Sequence, residues 1–291
     1  MMYVTYEDLC RDIRSNITKI PLCVSGVLGM PRSGMLPATI IAEHLNVGLS
    51  TPDSVIAAGS VTMAMMEHGH RRMRTDGPRT LLVVDDTCYH GNSFAKTLKK
   101  LKHPAFSGYD FIFLAVYLEG PCEKFMPQIY LRDIREPAKH GPLGYALYEW
   151  NLFAHGNLTA HTLFDLDGVF CKEPPDERNE EAYLTYIKNP MPLYIPTGDT
   201  ISVCTYRLEK YRKETMDFLR LIGAERVNLF MNPAKDYWER CNAGAAWQFK
   251  AEKYKDDYWL LFVESDDYQA RKIHEMTGKP VVCIETNTVY D

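Results

Sequence analysis

The chain is written in two hydrophobic rhythms. Short unbroken apolar runs, "LCVSGVLGM" at 22–30, "TLLVVDD" at 80–86 and "DFIFLAVYLEG" at 110–120, predict strands buried on both faces. Between them, apolar residues at three- and four-residue spacing predict amphipathic helices over 35–45 and 92–103. Residues 5–19 read as an opening helix, with Thr5 as N-cap and Asp8 three residues on. Strand-like pieces stand near 47–51 and at 129–134, 145–157 is an aromatic-rich connection, and 52–79 shows no clear period. Then the rhythm restarts. Strands are predicted at 161–169, at 200–207 and in "RVNLFMNP", "YWLLFVESDD" and "KPVVCIET", with helices over 208–223, 236–255 and 266–277. Strands alternating with helices predict a parallel sheet covered on both faces. The expected class is therefore α/β: two consecutive doubly wound, Rossmann-like domains, 1–155 and 156–291, the second carrying a Pro-rich insertion near 170–199.

Composition narrows the classes. A length of 291 residues suits two domains, and 46% hydrophobic with 24% charged residues is ordinary for globular chains. A net charge of -5 argues against a dedicated nucleic-acid binder, although "HGHRRMR" at 68–74 is a local basic patch. The eight cysteines show no C-x-x-C pair or zinc spacing, and Cys23, Cys204 and Cys283 lie in apolar runs, so reduced core thiols are expected. No apolar run approaches the roughly 20 residues that span a bilayer, and the charged N-terminus is no signal peptide. A cytoplasmic protein acting on small molecules, away from membranes, is expected.

The chemistry gathers at strand ends, where open α/β sheets bind ligands. "LLVVDDTCYHGNS" (81–93) drives an apolar strand into Asp85 and Asp86 and then into the small-residue start of a helix. Backbone N–H groups at Gly91, Asn92 and Ser93 offer a phosphate cradle. The two aspartates suit sugar hydroxyls or a hydrated Mg²⁺; a turn capped by acids is the plainer alternative. Upstream, "GMPRSGM" (29–35) ends another strand, and Arg32 can meet a second anion.

These two stretches resemble the thirteen-residue signature and the pyrophosphate loop of the type I phosphoribosyltransferases. The resemblance covers about 20–135. It implies that Asp85 and Asp86 take the ribose hydroxyls of phosphoribosyl pyrophosphate. His90, Gly91, Asn92 and Ser93, with Thr87 beside them, would cradle its 5-phosphate. Met30, Arg32, Ser33 and Gly34 would hold pyrophosphate with Mg²⁺. His90 stands where a threonine is usual. The 52–79 segment falls at that family's mobile loop, so His68, His70, Arg71, Arg72 and Arg74 are either closing cations or a solvated basic loop.

In the second half, "LFDLDGV" (163–169) sets Asp165 and Asp167 at a strand end, with Gly168 for a sharp turn. Thr205, Lys250 and Glu264 follow in order, each near the end of a predicted element. This resembles the haloacid dehalogenase superfamily over nearly all of 161–291. The resemblance implies that Asp165 is a nucleophile, Asp167 a general acid/base, and Thr205 and Lys250 phosphoryl ligands. A Mg²⁺ site of Asp165, Asp167 and Glu264 with Asp266 or Asp267 is also implied. Tyr183, Tyr186, Tyr194 and the Tyr145/Tyr148/Trp150 group read as packing aromatics, with base stacking as the alternative.

Together these features predict a bifunctional enzyme of nucleotide metabolism, transferring phosphoribose and hydrolysing a phosphate ester. Two other readings stay open: a phosphatase with a nucleotide-sensing domain, and an interaction module in a stress, phage or anti-phage system. The first family's habit of dimerising adds a homodimer to the expected partners.

Overall fold

The computed structural model describes residues 1–64, 79–136, 141–154, 156–175, 178–198 and 200–291. The chain divides into two compact units, Val4–His140 and a second made of Met1–Tyr3 with Gly141–Asp291. Residues 141–154 were expected in the first unit but belong to the second, because Leu147 and Leu152 are buried in its core.

In the first unit, five strands lie in the order Gly48–Ser50, Val24–Gly29, Arg79–Cys88, Tyr109–Leu118, Ile129–Asp133, every neighbouring pair parallel. The strand-pleat period of two explains the burial of its central run. Leu81 and Val83 join one core with Val55, Phe94 and Phe113, while Leu82 and Val84 are fully buried on the opposite face. The opening helix is Tyr6–Asn16, closed at its start by the reciprocal Thr5–Asp8 capping box. The aperiodic stretch hides two short helices, Pro52–Ala58 and Val61–Ala64. Thr51 caps the first of these and Pro52 opens it.

The second unit carries a six-stranded sheet in the order Arg226–Asn232, Thr200–Leu208, Thr162–Phe164, Leu261–Glu264, Val281–Cys283, Thr288–Tyr290. All pairs are parallel except the last, an antiparallel edge strand that the hydrophobic pattern did not announce. The helix expected over 236–255 is broken into Tyr237–Asn242 and Ala246–Tyr254, with Gly244 between them at φ +120°. The insertion holds the helix Glu180–Lys188. Cys204 and Cys283 are buried as expected, whereas Cys23 is exposed at the rim of its strand.

Candidate functional site

Each sheet has one place where neighbouring connections depart in opposite directions, and each sequence signature falls there. In the first unit, the 24–29 strand pairs with 79–88 only as far as Gly29 opposite Val84. The Met30 amide then donates to the Val84 carbonyl (3.0 Å) and the chain turns away. Asp85 to Cys88 continue, paired only with 115–118 on the other side. This extends the strand past its expected end at 86 and opens one edge of it beside both aspartates.

The 30–34 loop is fitted tightly against that edge. A methyl group added at Gly34 would lie 2.6 Å from the Met30 carbonyl oxygen and 2.7 Å from Asp85 Oδ1, so only glycine fits. Arg32 is exposed and Ser33 half-buried at the start of the helix Met35–Leu45. Asp86 is buried, and each carboxylate curls back onto the next amide: Asp86 N–H to Asp85 Oδ1 (3.1 Å), Thr87 N–H to Asp86 Oδ1 (2.9 Å). Burial, then the neighbouring Asp86 charge, hold Asp85 well above the usual carboxylate range.

Beyond them, Gly91 takes φ +79° as N-cap of the helix Asn92–Lys100, which no side chain caps. A methyl at Gly91 would stand 2.2 Å from the Phe125 carbonyl oxygen. Asn92 and Ser93 are exposed, so the helix start faces water with its positive dipole end. His90 Nδ1 meets Glu123 Oε1 at 2.6 Å, both half exposed, which sets a carboxylate beside the cradle. Behind it the Cys88 and Cys122 thiols touch at 3.0 Å, and backbone bonds from Cys122 to Tyr89 and from Lys124 to His90 brace the turn. Met30, Gly34, Asp85, Asp86 and Gly91 are thus gathered at one strand end. His68, His70, Arg71, Arg72 and Arg74 lie outside the described residues.

In the second unit, the sheet reverses between 162–164 and 261–264. Asp165, just past the first strand, donates its amide to the Val263 carbonyl (2.9 Å). Lys250, 2% exposed, reaches in from the helix Ala246–Tyr254. Its Nζ donates to Asp165 Oδ2 (2.8 Å), Glu264 Oε2 (2.7 Å) and Gln269 Oε1 (3.1 Å), spending all three donors. One ammonium therefore faces two buried carboxylates. Burial and the Glu264 charge push Asp165 up; burial lowers Lys250, but the two acids outweigh it and hold Lys250 above its ordinary value.

Thr205 is buried, its Oγ1 accepting the Arg207 amide (3.3 Å). Asp167 does not stand on Lys250. Its carboxylate is gripped by Arg207, Nε to Oδ2 at 2.9 Å and Nη2 to Oδ1 at 2.5 Å. Asp266 caps the helix Asp267–Thr277, and Asp267 Oδ1 accepts from Tyr290 (2.7 Å) and Thr286 (3.1 Å). Among the described residues no three His, Cys, Asp or Glu side chains converge as a metal site. Of the four carboxylates expected to share a metal, Asp167 is engaged by Arg207 and Asp267 by Tyr290. Asp165 and Glu264 stand together, both on the Lys250 ammonium; one or two carboxylates plus water suffice for Mg²⁺, which would share this pair with Lys250.

Three contributors escaped the sequence reading. Arg207 was signalled only by a lone cation two residues past Thr205, on the same face of an apolar strand. Gln269 looked like an ordinary helix residue. Glu173 receives Ser265 Oγ–H (3.2 Å) and lines a cavity of about 690 Å³ with Gly168, Tyr194, Ser265 and Asp266. Burial, then the Asp167 charge, raise the Glu173 carboxyl. Among the aromatics, Tyr194 stacks on Phe153 (4.4 Å between centroids), Tyr186 faces Arg207, and Tyr183 is buried.

No family of known sequences matches this chain, and no curated protein does. Among solved structures it is similar to a purine phosphoribosyltransferase from Pyrococcus horikoshii Ot3, at 14% identity over 51% of this chain and 92% of that one, TM-score 0.34. A Helicobacter pylori xanthine-guanine-hypoxanthine phosphoribosyltransferase gives 16% identity, 51% and 92% coverage, and TM-score 0.35. An orotate phosphoribosyltransferase from Aeropyrum pernix gives 19%, 44% and 70%, with TM-score 0.30. These neighbours span about half of this chain. The α/β class itself stands on the strand orders described above.

Proposed function

We propose that the first unit transfers phosphoribose from phosphoribosyl pyrophosphate. The observation that carries this reading is the strand end at Asp85 and Asp86, released from its neighbouring strand past Gly29 and flanked by the tight 30–34 loop and the glycine-capped helix start. The aspartates accept from the ribose hydroxyls, the helix start takes the 5-phosphate, and the 32–34 amides with the Arg32 side chain take pyrophosphate. An acceptor's lone pair forms the new bond to the anomeric carbon as the carbon–oxygen bond to pyrophosphate breaks. Pyrophosphate leaves with that electron pair, and the acceptor's proton passes to solvent. Bound Mg²⁺ would neutralise the leaving pyrophosphate. Incubation with labelled donor, Mg²⁺ and a panel of nucleobases should release pyrophosphate, and Asp85→Asn/Asp86→Asn should abolish the release. Equal release by the variant would reject the reading.

A second activity, phosphate-ester hydrolysis in the second unit, is favoured by Lys250 bridging Asp165 and Glu264. Asp165 Oδ attacks phosphorus, the ester bond breaks, and the leaving oxygen takes a proton from Asp167. Water then gives a proton to Asp167 and attacks the aspartyl phosphate, freeing phosphate and restoring Asp165. Lys250 offsets the buried charge of Asp165 and Glu264, the Thr205 hydroxyl would meet a phosphoryl oxygen, and Mg²⁺ held by those carboxylates would supply further positive charge. The 5-phosphate of a phosphoribosyl product is a fitting substrate. Phosphate release that persists in Asp165→Asn would reject this activity.

A further inference from the structure

Arg207 is a charge that neither signature assigns. It lies on the Thr200–Leu208 strand, two residues past Thr205 and on the same face. Its side chain is 1% exposed, while that of Asp167 keeps 15%. Nε and Nη2 form a parallel fork with the two Asp167 oxygens, and Nη2 also stands 3.4 Å from Cys171 Sγ. The guanidinium faces the Tyr186 ring of the insertion helix at 5.7 Å. Nη1 is buried without a hydrogen-bond partner among the described residues.

As a stabilising device this is poor. A buried ion pair is often matched or beaten by apolar packing, and an orphaned Nη1 adds a cost without return. As a positioning device it is well made. The planar fork fixes both the direction and the plane of a carboxylate, which a lysine cannot do. The guanidinium is buried while the Asp167 side chain keeps 15% of its surface, so the pair is approached from the carboxylate and not from the cation. The Gly168 amide, hydrogen bonded to the Cys171 carbonyl (2.7 Å), fixes the backbone of the same turn.

We propose that Arg207 is the positioning residue for Asp167, holding that carboxylate aimed at the bond Asp165 attacks, with the insertion helix steadying the guanidinium through Tyr186. The inference rests on the phosphate-ester hydrolysis reading, in which Asp167 moves the proton.

The test uses the full chain with p-nitrophenyl phosphate and Mg²⁺, comparing wild type, Asp165→Asn, Asp167→Asn, Arg207→Lys, Arg207→Met and Asp167→Asn/Arg207→Met. Removing a working acid–base group costs about 100-fold or more. We expect Arg207→Met to lower kcat by that order with KM within threefold, and Arg207→Lys to recover part of the loss. Adding Arg207→Met to Asp167→Asn should cost no more than Asp167→Asn alone, because both changes disable one group. The charge-free double variant and Arg207→Lys carry the comparison if Arg207→Met fails to fold. Losses that multiply in the double variant, or a folded Arg207→Met with wild-type kcat, would overturn the role of Arg207 alone. A wild type no more active than Asp165→Asn would remove the hydrolysis reading and this role with it.

Discussion

The two sites occupy the same kind of place in the same kind of sheet, yet they are built from opposite materials. The first is made of backbone: glycines at 34 and 91, a helix start that no side chain caps, and carboxylates hydrogen bonded to the amides that follow them. The second is made of buried charges, with Lys250 on Asp165 and Glu264, and Arg207 on Asp167. A backbone cradle suits a ligand that brings its own negative charge and is exchanged whole. A wired cluster suits a reaction in which a protein carboxylate forms and breaks a bond, because its atoms must hold their places through the cycle. The first site should therefore break where a Cβ is added, the second where a charge is removed.

The largest expected effect is at Lys250. Lys250→Met leaves Asp165 and Glu264 buried together without their cation, and breaking a buried pair in this way costs about 3–5 kcal/mol. Urea denaturation should show that loss, and Asp165→Asn/Glu264→Gln added to Lys250→Met should recover most of it. A single variant as stable as wild type would contradict the charge-built picture.

Next comes Gly91→Ala, where a methyl meets the Phe125 carbonyl at 2.2 Å and the left-handed φ adds strain of about 1 kcal/mol. We expect tenfold or weaker binding of phosphoribosyl pyrophosphate, with p-nitrophenyl phosphate hydrolysis unchanged. Parallel loss of both activities would show that the sites are not separately built.

Asp85→Asn gives a smaller change in stability, with a defined sign. The folded-state pKa of Asp85 is raised, so its ionisation costs stability. That cost is absent below about pH 4, the unfolded carboxylate value, and grows as pH rises through the folded value. Asp85→Asn should therefore melt higher than wild type at pH 7.5, the gain vanishing towards pH 4, while donor binding is lost. A variant less stable than wild type at pH 7.5 would contradict the assignment. Smallest is Glu123→Gln, which removes an exposed carboxylate from the rim of the phosphate cradle. Exposed pairs contribute little, so stability should barely move. Affinity for the anionic donor should rise about twofold in low salt and converge with wild type in high salt.

Much of this was legible in the chain because strands and signatures are local. The run 81–84 buries alternate residues on two faces, and the Thr5–Asp8 cap forms as spelled. What escaped depends on partners distant in sequence. Arg207 and Asp167 lie forty residues apart and Tyr290 and Asp267 twenty-three, and nothing local says they pair. The helix at 52–58 leaves no periodic signal although Thr51-Pro52 is a good start, because seven residues are too few to show a period. The break at Gly244 is masked for the opposite reason: the apolar spacing on either side runs through it.

The most direct measurement is calorimetric titration of the intact chain with phosphoribosyl pyrophosphate and Mg²⁺. The account predicts one saturable site per chain, lost in Asp85→Asn/Asp86→Asn and kept in Asp165→Asn. Undiminished binding in the Asp85/Asp86 variant, or no binding by the wild type, would contradict it.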